Sequence, residues 1–247
     1  MIPQKRLRIF AGPNGSGKST IISIVKEHDV DFGVYVNADD IKTEFVKNGF
    51  VDFDFYGFTI SESDFKTELV NSSFYNIETR EKAASTLGVV LNKLRCNDSN
   101  LYDFVSTFAA DFIRTKLLDK GVKFTFETVM SHPSKLDFIK KASECGYKVY
   151  MYFVSLEDPE LNIQRVKARV KMNGHDVPED KIISRYYRTM SLLYDAIKVV
   201  DEAYFFDNSG SRSVFFAKYA KSEIVFENVV NVPRWFYTYI LDKIKND

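Results

Sequence analysis

The chain predicts an α/β protein of the P-loop NTPase fold: a mainly parallel sheet with helices on both faces, a helical insertion between the second and third strands, and a C-terminal β-hairpin plus helix. Two observations carry this. Short runs rich in β-branched and aromatic residues alternate with segments whose apolar residues recur at helical spacing. The first run stops at a glycine-rich stretch, "GPNGSGKS" (residues 12 to 19), that leads directly into a helical pattern. Alternation of this kind requires right-handed crossovers and hence strands that lie mostly parallel.

In chain order, "LRIFA" (7 to 11) is the first strand and "STIISIVKEH" the helix after the loop. "GVYVNADDI" supplies a second short strand that ends near Asn37 to Asp40. "KFTFET" (123 to 128), "YKVYMYFVS" (147 to 155) and "EAYFFDNSG" (202 to 210) are the next three. Between them, "PSKLDFIKKASECG" reads as a helix closed by Gly146, and "PELNIQRVKARVKM" as one opened by Pro159 in its first turn. "SVFFAKY" and "SEIVFEN" form an antiparallel hairpin, and "PRWFYTYILDKIK" a closing helix. Residues 52 to 116 break the rhythm: their periodicity is dominantly helical, so they read as an insertion within a single P-loop domain spanning 1 to 247. That insertion is either extra packing or a cap on the substrate or partner side.

Bulk properties exclude several classes. The 247 residues carry 34 Lys plus Arg against 34 Asp plus Glu, a balance that argues against nucleic acid as partner and against an acidic tail. Cys96 and Cys145 match no CxxC or zinc spacing and read as unpaired thiols of a reducing compartment. No window approaches a membrane span and the N-terminus lacks a signal h-region, so the expectation is a cytoplasmic chain without membrane contact.

The pattern GxxxxGK[ST] runs from Gly12 through Pro13, Asn14, Gly15, Ser16 and Gly17 to Lys18 and Ser19, with Thr20 following. Glycines at 12, 15 and 17 let successive backbone N–H groups turn inward onto phosphate oxygens. Lys18 then neutralises the β and γ charge of ATP, the Ser19 hydroxyl is placed to ligate Mg²⁺, and the helix N-terminus adds partial positive charge.

Binding ATP is half of a kinase; a second group must activate the attacking oxygen. "NADD" closes the second strand at the sheet edge where ligands of open α/β folds collect. One of Asp39 and Asp40 serves as general base or metal holder and the other as helix cap, with Asp39 favoured for the chemistry and Asp40 for the substrate side. Glu127 and Thr128 end the third strand; Glu127 either reaches Mg²⁺ through water or orients substrate. Arg165 and Arg169 share one helix face at a spacing of four, and Arg185 and Arg188 follow a polar turn, so the pair suits a lid that brings guanidinium charge onto the γ-phosphate. His175 stabilises that turn or contacts phosphate; His28 and His132 belong to no constellation.

"GPNGSGKST", "NADDI", "FETVMS", "RVKARVKMNGHDVPEDKIISRYYR" and "AYFFDNSG", in this order, resemble the zeta toxin family of P-loop kinases, over roughly residues 5 to 50 and 110 to 210. The resemblance implies an ATP-dependent kinase acting on a small-molecule hydroxyl, with UDP-N-acetylglucosamine, a nucleotide sugar, as acceptor and an antitoxin protein as partner. It implies that Lys18 and Ser19 bind phosphates and Mg²⁺, Asp39 is the base, Glu127 and Thr128 line the substrate site, and Arg165 or Arg169 neutralises the transferred phosphate. Arg185 or His175 takes the place of the second lid arginine. Two other readings of the residues stand beside it: an ATP-binding interaction module without transfer, and a polynucleotide kinase.

Overall fold

A computed structural model describes residues 4–72, 76–172, 174, 176–227 and 231–246. The chain divides into two compact units, Met1–Gly33 with Gly121–Asp247, and Val34–Lys120.

The first unit contains β1 (Arg6–Ala11) and α1 (Lys18–Glu27). The second holds β2 (Val34–Val36), α2 (Ala38–Asn48), β3 (Phe50–Asp52), α3 (Glu62–Asn71), α4 (Ile77–Thr86), β4 (Leu87–Val90), β5 (Lys93–Cys96) and α5 (Tyr102–Lys120). The chain then returns to the first unit with β6 (Phe124–Thr128), α6 (Ser134–Glu144), β7 (Lys148–Ser155), α7 (Pro159–Lys171), α8 (Glu179–Ile197), β8 (Glu202–Asp207), β9 (Val214–Ala220) and β10 (Glu223–Phe226). It closes on α9 (Arg234–Phe236), a π-helical turn Tyr237–Leu241 and α10 (Asp242–Lys245).

Within the first unit the strands lie in the order β10-β9-β8-β7-β1-β6. β6, β1, β7 and β8 are parallel, whereas β9 and β10 run antiparallel at the edge. β1 is central, and its residues Leu7 through Ala11 are all buried, so both of its faces are covered. This is the near-continuous burial expected of a parallel strand between helix layers. The β9–β10 hairpin closes on two residues: Ala220 pairs with Glu223, and the turn is Lys221–Ser222, both at positive φ (52° and 63°). Two left-handed residues give the twist that matches paired strands. The closing helix packs Trp235 and Phe236 against Phe205 and Phe216.

Helix termini follow local rules. Asp158 caps α7 by accepting from the Leu161 N–H at 3.2 Å, with Pro159 in the first turn as expected. Gly146, at φ 79°, ends the α6 segment, and the Tyr147 N–H returns to the Ala142 carbonyl at 3.0 Å.

In the second unit the insertion supplies helices α3, α4 and α5, in keeping with its periodicity. The second unit also contains what that periodicity does not announce, a three-stranded antiparallel sheet in the order β3-β5-β4. The physical reason is the pair Leu91–Asn92, both at positive φ (50° and 59°), which turns "LGVVLNKLRC" into a two-residue hairpin without a glycine. Phe53, Phe65, Phe108 and Phe112 form the aromatic core beneath it, with ring centroids of Phe65 at 5.2 Å from Phe108 and 4.9 Å from Phe112. Cys96 is buried and Cys145 exposed, both as free thiols. Among the described residues no helix is long and apolar enough to cross a membrane.

Candidate functional site

The glycine loop leaves the carboxyl end of central β1 and delivers the chain to α1. Gly17, at φ 94°, sits where the helix begins, and Gly12, at φ 149°, follows the strand. A Cβ on Gly12 would collide with the Val154 carbonyl, and one on Gly17 with the Asn208 side-chain amide, so both positions exclude a side chain on steric grounds as well as backbone ones. The Ser16 N–H closes a turn onto Pro13.

Lys18 is 7% exposed and its ammonium donates to the carbonyls of Gly12 (3.0 Å) and Pro13 (3.1 Å). It also lies 3.7 Å from Glu127 Oε1. The β1–β6 register explains that meeting: Glu127 is level with Phe10 and Thr128 with Ala11, the last residues before the loop. Three buried polar atoms around the loop, Asn14 Oδ1, Ser16 Oγ and Asn162 Oδ1, have no hydrogen-bond partner among the described residues. Orphaned buried acceptors and hydroxyls of this kind are costly unless a ligand completes them. Ser19 and Thr20 are exposed in the first turn of α1. A glycine loop at a helix N-terminus, a buried ammonium and an exposed first-turn hydroxyl fit a phosphate chain with its divalent cation.

Two residues absent from the sequence expectations hold this loop. Asn162, on the buried face of α7, donates through Nδ2 to the Asn14 carbonyl at 2.6 Å. Asn208, directly after β8, donates through Nδ2 to the Ser16 carbonyl at 2.8 Å. The signals were present: an amide among the inward-facing Ile163 and Val166 of a helix, and an amide at the carboxyl end of a parallel strand.

Arg165 is half-buried and donates from Nη2 to the carbonyls of Asn208 (2.5 Å) and Gly210 (3.3 Å). Its Nη1 is 3.8 Å from the point a Cβ on Gly17 would occupy, so this guanidinium stands beside the loop. Arg169, one turn on, lies at the end of α7, where its carbonyl accepts from the N–H groups of Met172 and Gly174, both at 3.0 Å. Arg185 of α8 is half-buried and makes no hydrogen bond or ion pair among the described residues. Arg188 instead turns back along α8 to the Ser184 carbonyl at 3.2 Å. His175 lies outside the described residues. The α7–α8 pair is held by a small core of Ile163, Val166, Val177 and Ile182. Tyr186 of α8 donates to the carbonyls of Leu156 (3.0 Å) and Glu157 (3.1 Å), and burial pushes its phenol well above the usual range, so it remains a donor. Thr128 is used locally: its hydroxyl accepts from the Met130 N–H at 3.0 Å.

In the second unit, Asp39 and Asp40 occupy the first turn of α2, both exposed. Neither caps the helix. That role belongs to Asn37, whose Oδ1 accepts from the Asp39 N–H at 3.0 Å, which corrects the expectation that one aspartate serves as cap. The Asp39 side chain makes no hydrogen bond or ion pair among the described residues. The Asp40 charge acts on Tyr56, whose phenol is pushed up to about 12 by burial first and then by Asp40 and Glu44.

Comparisons with known proteins place these features. An uncharacterized protein of Haemophilus influenzae is 35% identical over 69 residues, which cover 28% of this chain and 49% of that relative. Among solved structures, an AvrRxo1-ORF1:AvrRxo1-ORF2 complex with sulphate ions has a TM-score of 0.54 at 18% identity, covering 92% of this chain and 62% of that one. The same complex with ATP gives 0.53 at 17% identity, covering 91% and 61%. The structure from the PezAT chromosomal toxin-antitoxin system of Streptococcus pneumoniae gives 0.50 at 14% identity, covering 97% and 79%. The chain thus spans about half the length of the curated relative and less than two thirds of the matched chains of the AvrRxo1 complexes, and at these identities the solved structures establish the fold. The zeta toxin family model matches residues 94–218, from β5 through Glu127, Arg165 and Asn208 into β9. With just over half of its residues matched to that model and the glycine loop at its expected place on β1, the chain belongs to the zeta toxin family.

Proposed function

We propose that this chain is an ATP- and Mg²⁺-dependent kinase of the zeta toxin type, transferring the γ-phosphate to a hydroxyl of a small molecule, with a nucleotide sugar such as UDP-N-acetylglucosamine as acceptor. The observation that carries this reading is the convergence of the Gly12–Thr20 loop, the buried Lys18 and Glu127 at one strand edge, with Arg165 beside Gly17.

ATP supplies the phosphoryl group; Mg²⁺, when bound, would be held by the Ser19 hydroxyl and would offset charge on the phosphate chain. Lys18 exchanges its carbonyl and Glu127 acceptors for β- and γ-phosphate oxygens. Asp39 accepts the proton of the acceptor hydroxyl as that oxygen bonds to the γ-phosphorus and the bridging P–O bond of ATP breaks, leaving ADP. Arg165, Arg169 and Arg185 provide the guanidinium charge for the transferred group. Glu127, Thr128 and Asp40 orient the acceptor, Glu127 additionally turning toward the cation through water. An antitoxin protein is the partner this reading implies, supported by the toxin–antitoxin system named for the Streptococcus pneumoniae neighbour.

The test is incubation with ATP, Mg²⁺ and UDP-N-acetylglucosamine, followed by mass spectrometry for an acceptor one phosphate heavier. Asp39→Asn is expected to lower transfer by about 100-fold or more while ATP affinity is kept. Transfer that survives Asp39→Asn unchanged sinks the assignment of the base; turnover with another hydroxyl metabolite but not the nucleotide sugar keeps the kinase and replaces the acceptor.

A further inference from the structure

We propose that Asn208 is a positioning residue that fixes the Arg165 guanidinium against the phosphate loop. The inference rests on the kinase reading above and goes beyond it in assigning how one lid arginine is held.

Asn208 is 8% exposed and fastened on three sides. Its backbone N–H donates to the Ser155 carbonyl at 2.9 Å, tying the end of β8 to the end of β7. Its side-chain amide donates to the Ser16 carbonyl at 2.8 Å, and its own carbonyl accepts from Arg165 Nη2 at 2.5 Å. The amide fills the space that the missing Cβ of Gly17 leaves open, and Arg165 Nη1 borders the same space. One residue therefore touches the loop through its side chain and the arginine through its backbone.

The chemistry requires an amide. Ser16 offers a carbonyl, so position 208 must donate, and a planar peptide whose C=O is held on one side turns the Gly17 N–H the opposite way. The Asn162 amide does the same to the Asn14 carbonyl at 2.6 Å, and since Asn162 and Arg165 both belong to α7, that helix is bonded to the phosphate loop at Asn162 and to the segment after β8 at Arg165. Arg165 is held by the carbonyls of Asn208 and Gly210, directly after β8.

The experiment compares wild type, Asn208→Ala, Asn208→Asp, Arg165→Ala and the Asn208→Ala/Arg165→Ala double variant. Dissociation constants for ATP and for ADP are measured by calorimetry, and phosphate transfer by mass spectrometry, after thermal melts verify folding. Asn208→Ala is expected to lower turnover by about 100-fold, as for a displaced catalytic group, and to lower the preference for ATP over ADP by the same factor as Arg165→Ala. The double variant should fall within about twofold of Arg165→Ala alone, because the two act as one unit. Losses that multiply in the double variant, or equal weakening of ATP and ADP, would overturn the proposal in favour of a merely structural amide. If Asn208→Ala does not fold, Asn208→Asp, which keeps the shape and loses the donor, carries the same comparison. A wild type that binds ATP but transfers nothing would end the kinase reading, and the ATP-over-ADP preference would still decide the role of Asn208.

Discussion

Lys18 and Glu127 meet at 3.7 Å, both largely shielded from solvent, at the carboxyl ends of neighbouring parallel strands. With the Gly12 and Pro13 carbonyls, Glu127 holds the ammonium beside the loop. A triphosphate offers the same donor stronger acceptors, so Lys18→Met should weaken ATP binding on the order of 100-fold, the scale of hydrogen bonds to charged groups. Calorimetric titration with ATP checks this; affinity within a few-fold of wild type would mean that the ammonium does not reach the nucleotide.

Gly17→Ala places a methyl group on a residue at φ 94° and against the Asn208 amide. The left-handed backbone alone costs about 1–2 kcal/mol. Because the displaced amide holds the Ser16 carbonyl, ATP affinity should fall together with stability. Urea denaturation and ATP titration of the same variant measure both, and a loss of one without the other would separate loop geometry from fold.

The parts of this molecule legible in its sequence are those whose cause is local. The glycine loop announces itself because the loop, its lysine and its helix follow one another, and β6, β7 and β8 are compact aromatic runs. The β4–β5 hairpin was hidden because Leu91 and Asn92 adopt a turn conformation that sequence reasoning expects of glycine. Asn162 and Asn208 were hidden for a different reason: each holds a carbonyl 148 and 192 residues away, respectively, and a single chain shows an amide without showing what it will meet. The cap of α2 lay in between, since Asn37 is a good cap by type but is followed by two aspartates that invite the same role.

Glu202 supplies a pH dependence outside the nucleotide site. Burial raises its carboxyl, but hydrogen bonds from Lys218 (2.8 Å) and Tyr204 (2.6 Å) and the nearby Lys148 outweigh that and hold it at about 2, against an ordinary 4.5. A depressed folded-state value means that the stabilisation is complete above the unfolded value and is lost as pH falls from about 4.5 toward 2. Thermal melts from neutral to acid pH should therefore show Glu202→Gln less stable than wild type at pH 7, with the difference shrinking below about 4.5. A gap that stays constant across that range would assign the loss to packing.

Asn92 is the residue on which the hairpin of the second unit turns, and its two contributions can be separated. It sits at φ 59°, its Nδ2 donates to the Phe58 carbonyl at 3.0 Å, and its Oδ1 accepts from the Ile60 N–H at 2.8 Å. Its own carbonyl accepts from the Phe53 N–H at 3.1 Å, so the turn is stitched to the segment ahead of α3 from both ends. Asn92→Ala loses the side-chain bonds and strains the backbone, at a combined cost of about 2–4 kcal/mol. Asn92→Gly loses the same bonds but accepts the positive φ freely, so it should recover about 1 kcal/mol of that loss. Equilibrium urea denaturation of the pair measures the difference. Equal losses would place the whole effect in the hydrogen bonds, whereas a glycine variant as stable as wild type would place it in the backbone.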